Sequence, residues 1–233
     1  DPTSEGIKFS MENVVFQPAD AHVPLLSGIS LTIEPGKKVV VTGKSGSGKS
    51  AMMALFSGLY EEYQGKVLVN DLSLEYINLE KFRGMVGDFL ELQQIFHGTI
   101  QENICLGRDC TQEQLDYLIE LVGLNDFIYQ APFGLETVLQ PEGKGLSKSI
   151  AHQILIARGL VGHPKALIME NILNYVDPKI KENLIDYVMK GPWTLIMISD
   201  EPKVQQLADE VILMEKGELA FQGSYEAFKK FKN

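Results

Sequence analysis

Gly43-Lys44-Ser45-Gly46-Ser47-Gly48-Lys49-Ser50 puts glycines, a lysine and a hydroxyl at the spacing G-x-x-x-x-G-K-[ST]. Each residue type has a use in that pattern. Glycine lets the backbone turn closely around an anion, so that successive N–H groups point at it. A helix that starts there adds the partial positive charge of its N-terminus. The Lys49 ammonium would reach the outer phosphates of a nucleotide, and the Ser50 hydroxyl would ligate Mg²⁺. The expected phosphate site is therefore Gly43 to Ser50, with Ala51 opening the helix behind it.

Such a loop works only between a strand and a helix. Lys38-Val39-Val40-Val41-Thr42 is a β-branched run that reads as a buried strand, and Ala51-Met52-Met53-Ala54-Leu55-Phe56 reads as the helix. Further apolar runs at Ala166–Met169 and Thr194–Ile198 suit central parallel strands. Ahead of the loop, Ile7–Met11, Asn13–Phe16 and Leu25–Ile33 read as strands of an antiparallel sheet. Short strands are expected at Lys66–Val69 and Gly84–Gly87, and a hairpin at Val211–Met214 and Glu218–Phe221.

Helices are predicted from caps and spacing. Thr111 precedes Leu115, Leu118, Ile119 and Val122; Ser147 precedes Ile150, Ile154 and Ala157; Asp177-Pro178 opens a third; Tyr225–Phe231 closes the chain. The expected fold is an α/β P-loop NTPase (RecA-like) core with a mainly parallel sheet, an antiparallel β subdomain and a helical subdomain. Its division is 1–88 and 165–233 for the core and 89–164 for the helical part, within one domain.

Composition narrows the class. The 233 residues are 45% hydrophobic and 22% charged, with a net charge of -10, which argues against a nucleic-acid-binding face. Cys105 and Cys110 are too few for a disulfide framework and lack a second Cys/His pair for a metal, so they read as two reduced thiols. No apolar run approaches the ~18–20 residues of a membrane helix. The chain opens on Asp1 rather than Met, which reads as a piece of a longer polypeptide.

Phe96-His97-Gly98-Thr99-Ile100-Gln101-Glu102-Asn103-Ile104, Leu146-Ser147, Ala157-Arg158-Gly159-Leu160 and the run from His163 to Asp177 add a further layer. With them, the chain resembles the nucleotide-binding domain of ABC transporters, most closely the exporter type, from about Ile7 to Phe231. The resemblance implies ATP and Mg²⁺ as ligands, a second nucleotide-binding domain as partner (in a homo- or heterodimer), a transmembrane domain, and a place at the cytoplasmic face of a membrane. No nucleic-acid partner is expected.

Several positions depart from the family's pattern. Glu170, seven residues before Asp177, stands where the family's Mg²⁺-holding Asp belongs, and Asn171 replaces the Glu that polarises water. An amide has no basic lone pair to accept that proton. Asp200 replaces the switch histidine, and Asp88 replaces a glutamine, with Gln93 and Gln94 as stand-ins. The signature reads Leu146-Ser147-Lys148-Ser149-Ile150 in place of LSGGQ; Lys148 adds bulk and a charge. The adenine-stacking tyrosine falls at Pro18, leaving Phe16 or His22 as substitutes.

An intact phosphate loop beside five replaced catalytic positions implies a domain that binds ATP but hydrolyses it poorly or not at all. The alternatives are a slow ATPase that recruits Glu170 or Asp200 as base, a soluble P-loop ATPase or phosphotransferase, and a scaffold that no longer binds nucleotide.

Overall fold

A computed structural model describes residues 6–90, 94–170 and 176–232. In chain order its elements are β1 (Phe9–Phe16), β2 (Leu26–Ile33), β3 (Lys38–Thr42), α1 (Lys49–Phe56), β4 (Gln64–Val69), β5 (Leu72–Ser73), α2 (Leu79–Gly84) and β6 (Val86–Phe89). Then follow β7 (Gly98–Thr99), α3 (Ile100–Cys105), α4 (Gln112–Val122), α5 (Asn125–Gln130), β8 (Val138–Leu139) and α6 (Lys148–Leu160). The last are β9 (Ala166–Met169), α7 (Pro178–Lys190), β10 (Thr194–Ile198), α8 (Pro202–Leu207), β11 (Glu210–Glu215), β12 (Glu218–Gly223) and α9 (Tyr225–Lys232).

The main sheet has the order β12-β11-β3-β10-β9-β6, and every pairing is parallel except β11 with β12. β3, β9 and the first four residues of β10 are buried throughout, as strands covered on both faces must be. One face packs on α1 and an antiparallel sheet ordered β2-β1-β4-β5. The other packs on α4, α6 and α7. α6 lies close on β6, because a Cβ on Gly87 would stand 2.2 Å from the Gly159 carbonyl oxygen.

The caps read from sequence close as hydrogen bonds. Thr111 Oγ1 accepts from the Gln114 amide (3.2 Å), Ser147 Oγ from Ile150 (3.2 Å) and Asp177 Oδ1 from Lys179 (2.9 Å). Arg158, buried on α6, ties that helix to α3: its Nε donates to the Asn103 carbonyl (2.6 Å) and Nη2 to Asn103 Oδ1 (3.0 Å). Burial, with Arg108 adding its charge, lowers the guanidinium to about 10.

Two expectations need correction. The strands expected at Ile7–Met11 and Asn13–Phe16 are one strand, β1, interrupted by a bulge at Glu12–Asn13, where Asn13 has φ 49°. Cys105 and Cys110 are joined as a disulfide rather than standing as thiols. The short turn after α3 brings their Cα atoms to 6.5 Å, within bridging reach.

Candidate functional site

β3 ends at Thr42 between β10 and β11, so the loop that follows leaves the carboxyl edge of the sheet near its middle, where open α/β sheets bind their ligands. Gly43 has φ 142° and Gly48 φ 99°. A Cβ on Gly43 would stand 2.2 Å from the Met214 carbonyl oxygen, and one on Gly48 would stand 2.6 Å from that of Leu25. The loop is thus laid tightly against β11 and the start of β2, and the Gly217 amide fixes it further by donating to Ser47 O (3.1 Å).

Gly48 is the N-cap of α1 and supplies no side-chain cap. The first-turn amides of a helix have no intrahelical acceptor, so here they face outward for an anion. Lys49 Nζ lies on the Gly43 (2.6 Å) and Lys44 (2.9 Å) carbonyl oxygens. The buried Ser47 hydroxyl has no hydrogen-bond partner among the described residues. These features fit a polyphosphate. Ser50 Oγ donates to Glu170 Oε1, a hydroxyl–carboxylate pair of the kind that holds Mg²⁺ directly or through water.

Asp200 follows β10, which lies beside β3, and Glu170 follows β9 on the far side of β10, so the two carboxylates rise from neighbouring strand ends. Asp200 Oδ1 accepts from Thr42 Oγ1 at 2.5 Å. Asp88 is on β6, with Oδ1 accepting from the Leu90 amide at 2.9 Å. Burial raises its carboxyl above the usual value, and the Leu90 amide and Arg83 oppose this only in part. Asn171 and Gln93 lie outside the described residues. Gln94 is exposed, and its carbonyl accepts from Arg158 Nη1 (3.0 Å).

Phe16 does not offer the expected base platform. It is only 3% exposed, and its ring packs against Tyr60 with centroids 4.7 Å apart. His22 is exposed in the loop between β1 and β2. Leu146 and Ile150 pack with the cluster on the α6 face of the sheet, whereas α1 packs on the other. Within one chain the signature-like segment, Leu146 to Ile150, therefore stands apart from the phosphate loop. Sequence reasoning missed Thr42, which anchors Asp200. Its only signal is a hydroxyl ending the strand before the loop.

Comparison with known proteins gives the same picture. A family model described as "ABC transporter" matches residues 26–174. An ATP-dependent lipid A-core flippase of Chromobacterium violaceum is 31% identical, over 97% of this chain and 39% of that protein. P-glycoprotein 14 of Caenorhabditis elegans is 31% identical, over 94% of this chain and 17% of its own length. A solved bacterial Atm1-family ABC exporter with ATP bound superposes with a TM-score of 0.87 at 25% identity, over 99% of this chain and 41% of that one. The chain thus spans about two fifths or less of these relatives. With the family model covering more than half of the residues, and the phosphate loop set at the head of α1, the chain belongs to the ABC transporter family.

Proposed function

We propose that this chain is the ATP-binding domain of an exporter-type ABC transporter, and that it holds ATP with Mg²⁺ but hydrolyses it poorly or not at all. The observation that carries this reading is the contrast between the uncapped, glycine-lined start of α1, with Lys49 and Ser50 in place, and the strand end beside it, where Asp200 is anchored on Thr42. The loop's amides and Lys49 would bind the phosphates, while Ser50 and Glu170 would hold Mg²⁺. The metal would supply charge neutralisation at the outer phosphates.

Hydrolysis asks for more. It needs an acceptor for the proton of the attacking water and a donor toward the developing charge. Asn171 cannot accept that proton, and the carboxylate of Asp200 cannot donate. Each such loss commonly costs ~10²–10⁴ in rate. Glu170 is committed to Ser50, which leaves it on the metal side of the site.

In this reading the chain works at the cytoplasmic face of a membrane, joined to a transmembrane domain and facing a second nucleotide-binding domain. Nucleotide would then act as a clamp whose closed state persists. No helix among the described residues is long and apolar enough to cross a membrane.

Calorimetric titration with Mg-ATP, followed by a phosphate-release assay on the same sample, tests this. Saturable heat without release is the expected result. Steady release would overturn the non-hydrolytic part, and absence of heat would overturn the nucleotide-binding part. Asn171→Glu combined with Asp200→His should restore measurable release.

A further inference from the structure

We infer that the Cys105–Cys110 pair is a reversible thiol–disulfide exchange site whose closed form holds Arg108 on the C-terminal end of α6. The turn between α3 and α4 brings the two Cα atoms to 6.5 Å, so the bond can form without moving either helix. Cys105 ends α3 and is buried, whereas Cys110 is half-buried, so an external thiol reaches Cys110 more readily.

The bridged turn carries Arg108 inward. Its Nη1 donates to the Arg158 carbonyl (2.9 Å) and, at longer range, to that of Val161 (3.4 Å). A Cβ on Gly162 would stand 3.0 Å from Arg108 Cδ, so the side chain lies close on the end of α6. The last carbonyls of a helix have no intrahelical partner, and Arg108 caps one of them. Arg158 in turn sends its own side chain to Asn103, two residues before Cys105. α3, the bridged turn and the end of α6 thus form one closed circuit.

Two features oppose that arrangement when the bond is open. Arg108 is desolvated beside Arg158, which lowers both guanidiniums, and among the described residues neither has a carboxylate within ion-pairing distance. Leu106, inside the turn, holds a left-handed backbone at φ 48°, which a bulky side chain disfavours. Without the bond the turn relaxes and Arg108 moves toward water.

The exchange is a two-electron step with a dithiol reductant. One thiolate of the dithiol attacks Cys110 Sγ, and the electron pair of the Sγ–Sγ bond goes to Cys105 Sγ, which takes up a proton. The second thiol then attacks the mixed disulfide, releases Cys110 Sγ to be protonated and closes the reductant's own disulfide. The reverse reaction, with a small-molecule disulfide as oxidant, closes the turn. At the cytoplasmic face proposed above thiols are kept reduced, and a disulfide there is a transient, redox-sensing one.

The test equilibrates the 233-residue chain in mixtures of reduced and oxidised dithiothreitol. Alkylation with mass spectrometry counts the free thiols, and amide hydrogen exchange reads the helices. Both thiols should appear together in one two-electron step. Reduction should speed exchange about tenfold in the last turn of α6, residues 157–161, and leave its first turns unchanged. Arg108→Ala should speed the same amides about tenfold in the bridged chain and make them insensitive to reduction. Cys105→Ser combined with Cys110→Ser should match the reduced wild type.

A chain that stays fully reduced, or fully bridged, at every mixture would overturn the exchange site. Exchange at the end of α6 that ignores reduction, or still responds to it in Arg108→Ala, would mean that the bond closes the turn without holding Arg108. Faster exchange throughout the chain would mean general destabilisation, which equally overturns the inference. None of these outcomes bears on nucleotide binding.

Discussion

Two helices of this chain begin at sequence motifs of the same family, and their N-termini are built differently. α1 starts at Gly48, which has a left-handed backbone and no side chain to cap with. α6 starts at Ser147, whose hydroxyl takes the Ile150 amide, and continues into Lys148 and Ser149. The first leaves its amides for an outside anion; the second satisfies one of them itself. The difference teaches that the two halves of the machinery answer to different constraints. At α1, packing of Gly43 on β11 and of Gly48 on β2 forces glycine, so the fold itself preserves the phosphate loop. Lys148 is exposed, and no such packing holds a glycine there.

The largest effect should come from Gly48→Ala. Its Cβ would fall 2.6 Å from a backbone oxygen at a φ that side chains disfavour. Misplacement of the loop should cost about 2–4 kcal/mol of stability. Thermal unfolding would show this as a Tm lower by roughly 5–15 °C. Nucleotide affinity should fall about 100-fold, roughly 2.8 kcal/mol. A lowered Tm with unchanged affinity would break the comparison, because the anion would then not sit on α1. At the other helix, Ser147→Ala removes only one cap bond and should cost about 1 kcal/mol, a Tm change of roughly 2–4 °C. An unmoved Tm would mean that the α6 start is as open as that of α1.

Much of this was legible in the sequence, for physical reasons that also explain the failures. The strands of the parallel sheet are continuous apolar runs because they are covered on both faces. The caps Thr111, Ser147 and Asp177 are visible because a short polar side chain before an apolar stripe has few other uses. α3, α5 and α8 span six residues each, too few to show a helical period. The Thr99–Glu102 capping box of α3 was the one available signal. In β1 the bulge at Glu12–Asn13 reverses the face: Phe9 and Met11 point inward before it, and Val14 and Phe16 after it. A side chain that strict alternation turns outward, Phe16, is therefore buried. Thr42 and Asp200 are 158 residues apart, and only the order of the strands brings them together.

The smallest effect concerns the third altered strand end. Asp88 is half-buried on β6, and the cost of desolvating its charge raises its pKa above the ordinary carboxylate value of 3.8. A raised folded-state value means that folding favours the protonated carboxyl. The resulting stability is present below the unfolded pKa and is lost as pH rises through the folded one. At neutral pH the folded chain therefore bears the cost of an ionised, partly desolvated group. Asp88→Asn keeps an oxygen for the Leu90 amide and removes that charge. It should raise Tm by about 1–2 °C at pH 7, with the gain shrinking as pH falls toward 4. A gain independent of pH would mean that packing, not charge, is what Asp88 costs. A loss at pH 7 would mean that the carboxylate is stabilising there, and that this strand end, like the phosphate loop, is held by the fold.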